Sequence, residues 1–396
     1  RQRTALKGPE QPEAPVAEDF SPPQALFCGH SVSLRGARLF ETPTRPHQGA
    51  LSTRLSPARI SWHTSLYASG LPRQSQEEAP MPYIMAVDLG GTNCRFAGFT
   101  LDKGILSLHR MGKRKTAELP DTGALISACG TALDRHPRTA DAFVVGMAGP
   151  VADPLKARLT NAPLEVDLTD AGERYGIRSC RIINDFTAEA CACLTEAGSS
   201  AHCVLGAPGP RPAGPIGIIG AGTGLGTASL IRDSHGSWLP LPAEGGHVIF
   251  PFIGKEEAAF QDFAARELGL ACLSGDDVLS GRGLRLLHLF LTGERREAHE
   301  IAAEAFGSET GTLRWYARFY ARACRNWALS TLCTGGLFIT GGIALRNPLV
   351  TECAAFREAF YEGPHRRLLE RIPVRRFTDM NSGLWGSAWF GMRMTA

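Results

Sequence analysis

The chain lacks any run of about 18 consecutive apolar residues, the length a bilayer-spanning helix needs, and no basic start leads into an apolar stretch as a secretory leader does. An excess of one charge is also missing: 42 Lys and Arg against 39 Asp and Glu leave +3 over 396 residues. A nucleic-acid binder that works by neutralising phosphates carries a stronger basic excess, so neither a nucleic-acid nor a membrane partner is expected. The 11 cysteines show no order: none stand at C-x-x-C spacing, and only Cys191 and Cys193 lie close together. That pattern disfavours a disulfide framework or a zinc site and fits reduced thiols that pack helices in a soluble, cytoplasmic protein. Two nucleotide signatures are missing as well, the P-loop GxxxxGK[ST] and the dinucleotide GxGxxG.

What is present is globular in composition, 43% hydrophobic and 20% charged, and long enough for two or three domains. Residues 1–80 stand apart. They hold ten of the 26 prolines without sustained periodicity, which predicts a disordered extension, and their seven acidic residues argue against a transit peptide. Met81 stands just before the first convincing strand and is the expected start of the working protein. From Tyr83 strands and helices alternate. The pattern predicts strands at 83–88, 94–99, 105–110, 142–147, 181–184, 216–220, 227–232 and 337–340, and helices over 125–133, 187–197, 256–268, 278–291 and 313–332. This is α/β architecture in two lobes. The expected division is 81–195, with 377–396 returning to it, and 196–376.

Two strand-turn-strand units look like one device used twice. The first turn, Asp88-Leu89-Gly90-Gly91-Thr92-Asn93, has adjacent glycines that let amides converge on phosphate oxygens, with hydroxyl and amide side chains beside them. Asp88 is placed to hold magnesium through water, although the same residues also read as an ordinary tight hairpin. The second turn, Gly220-Ala221-Gly222-Thr223-Gly224-Leu225-Gly226, has glycine at four alternate positions, more than a hairpin needs. Gly341-Gly342 follows a core strand, where a nucleoside or merely a helix entry fits. Asn184-Asp185 ends a strand and opens a helix, so Asp185 is either a helix cap or a carboxylate placed to take a hydroxyl proton. Glu244-Gly245-Gly246-His247 sets a carboxylate and an imidazole three residues apart, suited to adjacent sugar hydroxyls, with a metal pair or a surface loop as alternatives.

In this order, with Ile183-Asn184-Asp185-Phe186-Thr187-Ala188 and Gly341-Gly342-Ile343, the motifs resemble those of bacterial glucokinase from about Met81 to the C-terminus. The resemblance implies the two-lobed actin-like ATPase fold, which is ribonuclease H-like, with ATP and Mg²⁺ in the cleft and glucose beneath. It implies Asp185 as general base on the sugar 6-hydroxyl, with Asn184, Glu244, His247 and Asn161 on the sugar. Gly90, Gly91, Thr92, Asn93, Gly222, Thr223 and Gly224 would face phosphate, Gly341 and Gly342 the nucleoside, and Asp88 the metal. Two positions depart from the family: Asp276 stands where it has a sugar-binding Glu, and Leu164 stands in place of a Trp near Asn161. Asp276 reads alternatively as the cap of the helix starting near Val278. The zinc motif of the related repressor and kinase branch is absent after His247. A kinase for another hexose or amino sugar and a non-catalytic sugar sensor are the competing readings, and a homodimer is compatible with all three.

Overall fold

In the computed structural model, residues 81–160, 162–206, 209 and 211–395 are described. The expectations for residues 1–80 and for Asn161 lie outside them. Two mixed sheets carry the fold. In the first, β1 (Tyr83–Leu89), β2 (Asn93–Asp102) and β3 (Ile105–Lys115) form an antiparallel meander, and β4 (Ala142–Met147) adds parallel to β1. A small hairpin, β5 (Lys156–Arg158) and β6 (Glu165–Asp167), precedes β7 (Cys180–Asn184), which pairs parallel to β4. The order is β3-β2-β1-β4-β7.

The second sheet comprises β8 (His202–Leu205), β9 (Ile216–Ala221), β10 (Leu225–Arg232), β11 (Trp238–Ala243), β12 (Gly336–Thr340) and β13 (Val374–Arg376). Its order is β11-β10-β9-β12-β13-β8. Strands β9 to β11 repeat the meander, and β12 and β13 repeat the parallel additions. The same five-strand arrangement is therefore built twice, and each copy opens on one of the two glycine turns.

Strand β1 is a near-continuous apolar run because both its faces are covered. Met85 and Val87 face a core shared with Phe96, Leu125, Cys129 and Phe143, while Ile84 and Ala86 face Phe99, Leu384, Trp385 and Ala388. That second core also takes in Ile216, Ile218, Ala228 and Leu230 of the other sheet, so the sheets share one interior. Helices Asp185–Ala192 and Ser382–Met392 run through it. They pack so tightly that a side chain at Gly386 would overlap the Ala188 carbonyl oxygen. A third, aromatic-rich core lies around helix Gly311–Thr331, with Phe250, Phe260, Tyr316, Phe319 and Tyr320.

Several elements differ from expectation. The helix predicted from Thr187 begins at Asp185 and ends at Ala192, with a separate turn at Glu196–Ser199. The helix predicted over 278–291 is two, Gly275–Leu279 and Gly281–Thr292, because Ser280 takes extended backbone and caps the second by accepting from Gly283 N. Strand β11 carries Pro240 and Pro242, which weaken a strand signal in sequence but are tolerated at the sheet edge it occupies. Among the described residues no helix is long and apolar enough to cross a membrane.

Candidate active site

Asp88 lies one residue before the end of β1, and the β1–β2 register puts Arg95 directly opposite. The carboxylate and guanidinium meet at 2.7 Å. Burial raises the Asp88 pKa and Arg95 pulls it back. The turn beyond is both a tight hairpin and a shaped loop. Gly90 N donates to the Asn93 carbonyl at 3.0 Å, and buried Thr116 braces the back, donating from N to Thr92 O (3.0 Å) and from Oγ1 to Gly90 O (2.6 Å). Thr92 is left exposed at the tip, with Gly91 half-buried beside it. The Asn93 Oδ1 is buried without a hydrogen-bond partner among the described residues.

The second turn joins β9 to β10, and its four glycines answer to different neighbours. Gly226 faces the Phe186 ring, which a Cβ there would overlap, whereas a Cβ at Gly220 would meet Thr340 first, with Cγ2 at 2.5 Å, and then Phe186 Cζ at 3.1 Å. A Cβ at Gly224 would overlap Asp276 Oδ1. Only Gly222 has open space, its nearest neighbour for a Cβ being Gly342 N at 4.0 Å. Thr223 is exposed at the tip, as Thr92 is in the first turn. Gly341, at φ +86°, caps helix Gly342–Arg346, so the helix-entry reading holds and brings that entry against the turn.

Asn184, not Asp185, caps the helix after β7. Its Oδ1 accepts from Phe186 N at 2.9 Å and Thr187 N at 3.1 Å, and its Nδ2 donates to Gly149 O at 2.9 Å. The same Nδ2 donates to Asp185 Oδ1 at 3.0 Å, and Phe186 N donates there at 2.9 Å. Two donors thus orient one carboxylate oxygen. Burial first, then repulsion from Asp88, lifts the Asp185 carboxyl to about 7, against the pull of backbone amides. One helical turn on, Glu189 was not singled out in the sequence. Burial pushes it up to about 8, its Oε2 has no hydrogen-bond partner among the described residues, and a Cβ at Gly383 would lie 3.5 Å from its Oε1 and 3.9 Å from Asp88 Cγ. Asp88, Asp185 and Glu189 therefore converge from two elements, each near enough to raise the next.

Glu244 and His247 lie on the turn after β11, exposed and 3.6 Å apart between Oε2 and Nε2. Gly245 N donates to Thr227 Oγ1 at 3.0 Å, and a Cβ at Gly246 would overlap the Leu225 carbonyl, so this turn packs straight onto the glycine turn. A cavity of about 820 Å³ runs between the Pro150–Pro154 segment, β7 and β11, and brings Asn184 and Glu244 to one wall each. Asp185 and His247 are not among its lining residues. Asp276 does not cap its helix; Ser274 does, in a capping box with Asp277. Leu164 is buried in the first core.

No three His, Cys, Asp or Glu side chains among the described residues are grouped to hold a metal ion by themselves. Magnesium fits such a site, because it prefers oxygen ligands, keeps several waters and is usually held by one or two carboxylates plus substrate phosphates. Asp88, with the unpartnered Oε2 of Glu189 nearby, supplies that kind of donor set.

The chain matches the family model Glucokinase over residues 85–394. It is 32% identical to the glucokinase of Psychromonas ingrahamii over 311 residues, 76% of this chain and 94% of that one. With the glucokinase of Brucella suis it shares 29% over 319 residues, 78% of this chain and 90% of that one. Among solved structures, a glucokinase from an Antarctic psychrotroph aligns at TM-score 0.68 and 24% identity, covering 79% of this chain and all of that one. The glucokinase from Balamuthia mandrillaris in complex with glucose aligns at TM-score 0.67 and 20% identity, covering 80% of this chain and 96% of that one. The fold is the two-lobed actin-like ATPase fold, with which the doubled sheet agrees.

Proposed function

Because the chain belongs to the glucokinase family, a family of sugar kinases, we propose that it transfers the γ-phosphoryl group of ATP to the 6-hydroxyl of glucose in the cytoplasm. The observation that carries this reading is Asp185: a carboxyl lifted to about 7 is a base matched to neutral pH, and its Oδ1 is already held by two donors. Oδ2 is the oxygen left to take the proton from the sugar hydroxyl as that oxygen attacks phosphorus. Asn184 and Glu244, which line one cavity, would hold other hydroxyls with His247, and Asn161 is the remaining sugar candidate.

Phosphoryl transfer asks the protein mainly for positioning and charge stabilisation. Residues Gly90 to Asn93 and Gly222 to Gly224 would direct amides and the Thr92 and Thr223 hydroxyls at the phosphates, with Gly341 and Gly342 beneath the nucleoside. Asp88, with Glu189 beside it, would hold Mg²⁺, which supplies charge neutralisation on the β- and γ-phosphates. Closure of lobe 81–195 with 377–396 onto lobe 196–376 would bring Asn184 and Glu244 together on the sugar.

A kinase for another hexose or amino sugar is the second reading, favoured by Asp276, whose shorter carboxylate is already engaged elsewhere. A coupled assay across a panel of hexoses with ATP and Mg²⁺ tests both. Highest kcat/KM for glucose supports the first reading, another preferred hexose supports the second, and turnover of none leaves a sugar sensor.

A further inference from the structure

Asp276 stands in the first turn of helix Gly275–Leu279, where a carboxylate would be expected to cap, yet Ser274 does that work. Its Oδ1 instead accepts the Leu225 amide at 2.8 Å, across 51 residues of chain. The contact is close on both sides of that peptide, since a Cβ at Gly224 would overlap the same oxygen. A second tie lies next to it: Gly281 N, at the start of the following helix, donates to Gly222 O at 3.2 Å. Within the turn Gly222 N is used on Gly224 O at 2.8 Å. With the Leu225 amide turned back to Asp276, the Thr223 and Gly224 amides are left without a protein acceptor among the described residues. Two successive free amides on a turn make a concavity for an anion.

We propose that Asp276 is a positioning residue for the nucleotide: its carboxylate fixes the backbone of Gly222 to Leu225 so that the Thr223 and Gly224 amides point at the phosphates, and it thereby couples the helix beside the sugar turn to the ATP side of the cleft. The coupling is short. The Glu244–His247 turn packs on the Leu225 carbonyl through Gly246, and Asp276 holds the amide of that same residue. A hydrogen bond from a backbone amide to an ionised carboxylate is among the stronger kinds, so its removal should be felt.

The inference rests on the kinase reading, and its test separates the two. The full-length chain is titrated with the magnesium complex of the non-hydrolysable ATP analogue AMP-PNP by calorimetry, and KM is measured for ATP and for glucose. Asp276→Ala should weaken analogue binding and raise KM for ATP by about tenfold, the cost of one charge-assisted hydrogen bond, while KM for glucose moves less than about twofold. Asp276→Asn keeps an acceptor oxygen in place and should bind the analogue within about twofold of wild type. Asp276→Glu carries one more methylene and cannot keep the 2.8 Å contact without displacing Gly224, so it should weaken the analogue as well. Hydrogen exchange at the Leu225 amide should be slow in wild type and Asp276→Asn and fast in Asp276→Ala, whether or not the protein is a kinase. A raised KM for glucose with unchanged analogue binding would make Asp276 a sugar ligand and overturn the proposal, as would analogue binding indifferent to all three substitutions. Wild-type protein that fails to bind the analogue, yet protects Leu225, would overturn the kinase reading instead. If Asp276→Ala does not fold, Asp276→Glu carries the same comparison.

Discussion

Asp185→Asn should abolish most turnover and at the same time make the ligand-free protein harder to unfold at alkaline pH. The carboxyl sits at about 7 in the folded protein, against an ordinary 3.8, because burial and the neighbouring Asp88 disfavour its charge. A carboxyl raised on folding contributes its stability fully below the unfolded value, and that contribution is lost as pH rises through the folded one. Between about pH 4 and pH 7 the unfolded chain ionises first, so wild type loses about 1.4 kcal/mol per pH unit from this group, about 4 kcal/mol in full. Asparagine keeps the Oδ1 that accepts from Phe186 N and Asn184 Nδ2 and never ionises. The variant and wild type should therefore melt together near pH 4 and separate above pH 7 by about 6 °C, the shift expected for roughly 300 ordered residues. Turnover at pH 7.5 should fall about 10²-fold or more, and wild-type kcat/KM should itself fall as pH drops below about 7. Scanning calorimetry from pH 4 to 8.5 and a coupled assay measure both. A melting difference that is the same at every pH, or a variant less stable at pH 8, would refute the burial argument; full turnover would remove Asp185 as the base.

Two glycines of the second motif should part company. Gly222→Ala, with 4.0 Å of clearance, should leave the melting temperature unchanged and raise KM for ATP, whereas Gly226→Ala should drive Phe186 from its seat and lower both stability and kcat; equal effects on stability would contradict this. Arg95→Met leaves the half-buried Asp88 carboxylate without its partner and should cost about 1–2 kcal/mol, discounted for the pair's partial exposure, and Asp88→Asn in the same chain should restore most of it. If it does not, the pair is not what Arg95 contributes. Saturating glucose should shrink the radius of gyration in small-angle scattering as the lobes close, and an unchanged radius would count against closure.

What was legible in the sequence is what local chemistry decides. Asp88 to Asn93 and Gly220 to Gly226 announce turns between apolar strands, and Asn184-Asp185 announces a strand end and a helix start, because each signal lies within a few residues of its cause. Arg95, Thr116, Glu189 and Phe186 were missed because each is defined by what it meets across the fold. Some of them still left a trace. With Leu89 paired to Cys94 across the first turn, alternation puts Arg95 opposite Asp88. Glu189 is four residues after Asp185 and so on the same helix face.

The glycines of the second turn carry the sharpest case. Alternate glycines read as room for a polyphosphate, yet Gly220 and Gly226 are register partners on β9 and β10. Two glycines facing each other across a strand pair leave a hole in one face of the sheet, and a hole inside a close-packed core has to be filled. The Phe186 ring fills it over Gly226 and Thr340 crowds it over Gly220; Phe186 is the residue next to Asp185, and its own amide holds the Asp185 carboxylate. The glycine pair thus fixes how closely the helix that begins at Asp185 approaches the second turn. Of the four glycines in that motif, only Gly222 has room for a side chain.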